Sequence, residues 1–212
     1  MNNTIEKVSA FITRETAAGR ELLVFAHPDP LAGIQVPAGT VDPDEAPGHA
    51  VLRETWEESG LSAVRIVQSL PAFTIDLPAG CYALIQPTTY RQAPAPDAPA
   101  QDIGLGRGTI MPRGSYLSLQ RFLGEWAQVT CEQDNPPLQS VFTTGWLPVH
   151  LLASRLQRTL YHLEILEPTP ETWEHLAEDR YLFRYSWLPL VPRPRLGEGQ
   201  DLWLDQIYER LL

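Results

Sequence analysis

The chain has only two cysteines, Cys81 and Cys131, among its 212 residues. That excludes a disulfide scaffold and a zinc site built from thiolates, and both are expected as reduced core thiols in a cytoplasmic protein. Long apolar runs are missing too. None approaches the ~20 residues that cross a bilayer, so no membrane partner is expected. The opening stretch MNNTIEKVSAFITRE has neither the basic head nor the apolar run of a signal peptide. Basic residues are scarce: 16 Lys and Arg stand against 26 Asp and Glu, a formal charge of −10. No basic field is present to displace counterions, so general nucleic-acid binding is not expected. What remains, 43% hydrophobic and 20% charged residues, describes a globular chain long enough for one large or two small domains.

KVSAFITRE and ELLVFAH read as two strands joined through TAAGR, with glycine placed for a hairpin. IQVP leads into an acidic stretch in which Pro43 and Asp44 mark a turn. Pro47 suits a first helical turn and Gly60 a stop, so a helix is predicted from Pro47 to Ser59. Residues 86–101, QPTTYRQAPAPDAPAQ, hold little that packs and read as a flexible, partly polyproline loop. GSYLSLQRF, EWAQVTC and SVFTTGWLPV are short strands; QRTLYHLEIL and RYLFRYSWLPL are two more. GQDLWLDQIYERLL closes the chain as a helix whose apolar positions are Leu202, Ile207 and Leu211.

The acidic stretch, residues 39–61, holds six carboxylates, four of them Glu within fourteen positions. On a helix from Pro47, Glu54 stands beside Glu57 and Glu58, because residues three and four apart share a face. Val51 and Thr55 lie on another flank and can pack inward. Crowded carboxylates repel, and a divalent cation that prefers hard oxygen ligands turns that cost into a gain. Arg53 can hold or neutralise a neighbouring carboxylate. Gly39 permits a tight backbone approach, leaving its carbonyl to face a cation.

Gly39, five residues, Glu45, seven residues, then Arg53-Glu54-Thr55-Trp56-Glu57-Glu58-Ser59-Gly60-Leu61 resembles the signature of the Nudix hydrolases. Thr55 stands where that family prefers an aliphatic residue. The resemblance implies an α/β fold, an α/β/α sandwich around a mixed sheet. It implies hydrolysis of a pyrophosphate bond in a nucleoside diphosphate linked to another moiety, with Mg²⁺, or alternatively Mn²⁺, as cofactor. Carried over, Gly39, Glu54, Glu57 and Glu58 hold the metal, Glu54 being a ligand or the base that activates water. Arg53 orients the carboxylates and Glu45 is structural. Relatives often add an acid from a late loop. In ETWEHLAEDR, expected to be that loop, Glu178 is favoured over Glu174 and Asp179, and His175 is incidental. His162 is expected as a packed histidine. The implied partner is a small phosphorylated substrate, a nucleotide, with Trp173, Tyr161 and Phe73 as unranked base contacts. The competing expectations are a fold that binds a nucleotide or peptide without turnover, and a hydrolase of non-nucleotide pyrophosphates.

The chain exceeds the family's usual length, and the surplus falls between Ile75 and Gln157. Gly114, Trp126 with Val129, and Gly145-Trp146-Leu147 resemble bacterial Src-homology-three-like domains. Residues 82–150 are therefore expected as an inserted small all-β barrel, with 1–81 and 151–212 as the two parts of the Nudix domain. Leu52 and Trp56, four apart on the helix, form an apolar pair that wants cover from the insert, the last helix or a second subunit, which makes a homodimer an expectation.

Overall fold

The computed structural model describes residues 3–28, 30–103, 110–135, 139–177, 181–197 and 199–212, without the side chains of 133–135 and 139–141. In chain order the elements begin with strands β1 (Thr4–Thr16), β2 (Gly19–Ala26), β3 (Ile34–Gln35) and β4 (Ala38–Thr40), then helix α1 (Pro47–Ser59). Next come β5 (Val64–Ser69), β6 (Phe73–Asp76), β7 (Cys81–Leu84), β8 (Thr88–Arg91), β9 (Ala100–Gln101) and β10 (Ile110–Met111). β11 (Tyr116–Leu123), β12 (Trp126–Asn135), β13 (Gln139–Pro148), β14 (Leu152–Ala153) and β15 (Arg155–Ile165) follow. β16 (Thr172–Ala177), β17 (Tyr181–Pro189) and α2 (Gln200–Leu211) complete the chain. No helix among the described residues is long and apolar enough to cross a membrane. Two compact units divide the chain, one of residues 7–72 and 158–212, the other of 1–6 and 73–157. Both divisions near the long strands fall inside β1 and β15, whereas the insert was expected at 82–150.

The unit that carries the acidic stretch is built on the strand order β16-β17-β2-β1-β15-β5. β1 and β2 form the expected hairpin, Thr16 facing Gly19, whose φ of +122° suits glycine. Alternation sorts the two faces. Val8, Ala10, Ile12, Leu23, Phe25, Leu163, Phe183, Tyr185 and Trp187 pack with Ala50 and Val51 of α1 into one buried core. On the other face Arg158 bonds to Ser9 and lies 3.9 Å over the Trp203 ring of α2. A helix thus covers each face of a sheet, as the α/β expectation required. α2 departs from its predicted pattern: Leu202 is 68% exposed, and the buried positions are Gln200, Leu204, Ile207 and Leu211. A residue two before the buried Leu204 points across the helix from it.

The second unit is all-β. Its sheet runs β10-β8-β13-β12-β11-β7-β14, with β9 against β8. β12 and β13 form a long antiparallel pair in which Val129 faces Gly145 and Ala127 faces Leu147. The described pairings leave this sheet open, β10 and β14 at its ends, so the closed barrel expected for the insert is not found. The Pro- and Ala-rich segment is not a structureless loop either. β8 and β9 lie within it and pair with each other, and Tyr90, fully buried, anchors it in the core with Met111, Leu117 and Val129. Gly145 is the partner of that anchor, since a Cβ there would come within 2.6 Å of the Tyr90 ring. Cys131 is buried, Cys81 is partly so, and both are free thiols.

Candidate active site

α1 starts without a side-chain cap, with Pro47 in its first turn. The preceding turn supplies the order instead. Asp44 adopts φ +66°, and the Asp42 N–H donates to Glu45 Oε2 at 3.0 Å. Val51 and Thr55 are both buried, as the helical spacing predicts. Thr55 fits its apolar surroundings because its hydroxyl donates to the Val51 carbonyl one turn back, at 2.7 Å.

Arg53 organises the acidic face. Its Nε and Nη2 donate to the two oxygens of Glu45 at 2.9 and 2.8 Å, a fork-to-fork pair, and Nη2 also reaches the Thr40 carbonyl at 2.9 Å. Its Nη1 bridges Glu54 Oε1 at 3.0 Å and Glu57 Oε2 at 2.9 Å. One guanidinium therefore ties the turn, β4 and two helix carboxylates together. The Glu45 carboxyl is held below the usual carboxylate range by this hydrogen bond. Glu54 moves the other way: burial raises its pKa, and the Arg53 charge offsets only part of that. Its side chain is 13% exposed, against 41% for Glu57. The Glu54 carboxyl occupies the space a side chain on Gly39 would need, so Gly39 is the residue that lets helix and strand meet. Glu58 turns to the same strand, where its Oε2 accepts from the Ala38 N–H at 3.0 Å.

The last four carbonyls of a helix have no partner within it. In α1 all four are satisfied. Gly60, left-handed at φ +77°, donates its N–H to the Trp56 carbonyl at 2.8 Å. His175 Nε2 lies 3.1 Å from the Glu57 carbonyl, a bond that requires the proton on Nε2. The Tyr185 hydroxyl donates to the Glu58 carbonyl at 2.9 Å and Trp173 Nε1 to that of Ser59 at 3.0 Å. Tyr185→Phe is therefore expected to lower the stability of this unit by about 1–2 kcal/mol in urea denaturation, because it strands the Glu58 carbonyl.

Several expectations meet corrections here. ETWEHLAEDR is not a loop through its first part: Thr172–Ala177 is strand β16. Glu174 faces away from the site and pairs with Arg184 at 3.2 Å. His175, expected to be incidental, fastens α1. The only signal for that lay in its alternation with Trp173. Glu178 and Asp179 lie outside the described residues. His162 is buried, 2.8 Å from Thr13 Oγ1, with its pKa lowered by burial, as a packed histidine should be. Of the aromatic base contacts, Trp173 is committed to the helix end and Tyr161 is 7% exposed. Phe73 belongs to the other unit. Leu52 packs partly on the core, whereas Trp56 stands 57% exposed.

Among the described residues no three Asp, Glu, His or Cys side chains are gathered closely enough to close around a metal ion. The donor chemistry nonetheless suits a hard divalent cation. Glu54, Glu57 and Glu58 offer only carboxylate oxygen, and burial makes the Glu54 charge costly without further positive charge.

Residues 4–89 match the family model described as the NUDIX domain. RNA pyrophosphohydrolases from three strains of Cereibacter sphaeroides are 38% identical over 78 residues, a match covering 34% of this chain and 48% of theirs. The chain thus spans about half the length of the curated relatives it matches. The crystal structure of the Caenorhabditis elegans Ap4A hydrolase aligns over 99% of this chain and 100% of its own, at TM-score 0.44 and 13% identity. The MutT protein from Methanosarcina mazei aligns over 99% and 94%, at TM-score 0.39 and 15% identity. The residues matched by the family model include the glycine, the arginine and the three helix glutamates described above.

Proposed function

We propose that this protein hydrolyses a pyrophosphate bond in a nucleoside diphosphate linked to another moiety, with Mg²⁺ held by Glu54, Glu57, Glu58 and the Gly39 carbonyl. The observation that carries this reading is the Arg53 cluster, which gathers Glu54 and Glu57 through one nitrogen beside the Gly39 approach. A cation bound there would neutralise charge on the phosphates and acidify an attacking water. Glu54 is the residue suited to accept that water's proton, since its raised pKa brings it nearer the working range of a general base. The water oxygen bonds to phosphorus, the bridging P–O bond breaks, and the leaving phosphate departs. Arg53 restrains the rotamers of both carboxylates throughout. The negative charge of the chain favours a small substrate over a polymer, although the name of the curated relatives places an RNA among the compounds to test. A cytoplasmic setting accords with the free thiols.

The test is nucleotide or phosphate release from nucleoside triphosphates, sugar nucleotides, ADP-ribose, dinucleoside polyphosphates and a 5′-triphosphorylated RNA, with and without Mg²⁺. Turnover of one class that stops on chelation is the expected result. Silence across the panel from folded protein that binds Mg²⁺ would overturn the reading in favour of a binding module.

A further inference from the structure

Two of the carboxylates proposed as metal ligands stand at the unfavourable end of their helix. Glu57 and Glu58 are two of the last three residues of α1, where unpaired carbonyls gather partial negative charge that disfavours a carboxylate. A cation in the final turn would offset this, and α1 has no basic residue there. The offset comes instead from side-chain donors of β16 and β17. These differ in what they hold. Trp173 meets the carbonyl of Ser59, which is no ligand, whereas Tyr185 and His175 meet the carbonyls of Glu58 and Glu57.

Glu57 depends on such support most. Glu54 is packed into the gap at Gly39, and Glu58 accepts from the Ala38 N–H. The Glu57 side chain is 41% exposed and, among the described residues, is held by Arg53 alone. His175 fixes the other end of the same residue. Its ring is seated against the bare Gly60, where a Cβ would come within 3.0 Å of Nδ1, while Nε2 points at the Glu57 carbonyl. Glu57 is thereby clamped twice, at its main chain by β16 and at Oε2 by Arg53, and Oε1 is left available to a cation.

We propose that His175 is a positioning residue of the metal site, which sets the affinity for a divalent cation by holding the main chain of Glu57. The inference rests on the reading above that Glu57 is a metal ligand, and adds the residue that keeps it in place. His175 acts through Glu57 and touches neither cation nor substrate. Outer partners of this kind typically change metal affinity by roughly ten- to a hundredfold when removed.

The experiment titrates Mn²⁺ alone, followed by the paramagnetic signal of the free ion, into wild type, His175→Phe, His175→Gln and Trp173→Phe. Phenylalanine keeps a flat ring against Gly60 without a donor, and glutamine offers an amide N–H in the place of Nε2. His175→Phe is expected to weaken Mn²⁺ binding roughly ten- to a hundredfold, and His175→Gln to restore most of it. Trp173→Phe should lower the urea midpoint, because it too strands a carbonyl, yet leave Mn²⁺ affinity near wild type. Unchanged affinity in folded His175→Phe, an equal loss in Trp173→Phe, or a His175→Gln no better than His175→Phe would overturn the inference. Should His175→Phe not fold, His175→Asn takes its place with the same expectation, since its amide nitrogen stands where Nδ1 does and falls short of the carbonyl. Turnover is read separately. Wild type that binds Mn²⁺, loses it on His175→Phe and hydrolyses nothing sinks the hydrolase reading and supports the positioning role. Wild type that binds no Mn²⁺ refutes that role.

Discussion

Glu54→Gln should make the protein inactive and, at the same time, harder to unfold. The loss follows from removing the side chain proposed as metal ligand and as acceptor of the water's proton, and turnover is expected to fall by about 10²–10⁴-fold. The gain follows from burial, which already opposes the Glu54 charge. A neutral amide of the same shape, still in reach of Arg53, removes that opposition at a stability gain of roughly 1 kcal/mol, or 2–4 °C. The sign can be checked against pH. A carboxyl whose folded pKa is raised stays protonated in the native state after the unfolded chain has ionised. Wild-type stability therefore falls as pH rises from about the ordinary glutamate value through the folded pKa, while the Gln variant escapes that fall. The stability difference should be small at acid pH and grow toward neutrality. Saturating Mg²⁺ should reverse the order by stabilising wild type alone, by about 2.7 kcal/mol at a hundredfold excess over Kd. Thermal melts at several pH values, with and without Mg²⁺, provide the measurement. Equal melting points under every condition would remove Glu54 from the metal site.

Gly39→Ala is the second large effect. The added methyl would fall within the Glu54 carboxyl group, which is already pinned by Arg53. Either that bond breaks or β4 moves away from β1, where Gly39 faces Val8. Overpacking of this kind costs about 1–3 kcal/mol. Displacing the reacting groups by about 1 Å should lower turnover on the order of a hundredfold. The cause is separable from a general intolerance of alanine in the strand. In a Glu54→Ala background the obstruction is gone, so the stability cost of Gly39→Ala should largely disappear. Additive costs in the double variant would place the strain elsewhere.

The helix and its flanks were legible because each was written in local chemistry. Pro47 and Gly60 bound α1 at both ends, and the spacing of Glu54, Glu57 and Glu58 follows from helical periodicity alone. The role of Gly39 could be read only as a close approach. What approaches it, Glu54, depends on how α1 lies on β4, a tertiary fact. His175, Tyr185 and Trp173 escaped for the same reason: more than a hundred residues separate each from the carbonyl it holds. The segment at 86–101 misled because its composition averages over one decisive side chain. Tyr90 is fully buried, and one large aromatic ring removed from water anchors a segment whose remaining Pro and Ala side chains are small. Leu202 misled because a short helix offers two overlapping apolar stripes, and only packing selects between them.

The four tied carbonyls at the end of α1 bear on how portable the motif is. A graft of residues 39–61 into a foreign sheet would carry the glycine, the arginine and every carboxylate, yet leave behind three of the donors that fasten the final turn. Those come from β16 and β17. Such a chimaera would bear the complete signature and lack its anchorage, its glutamates swinging on a frayed helix end. The transferable part is the helix together with that strand pair.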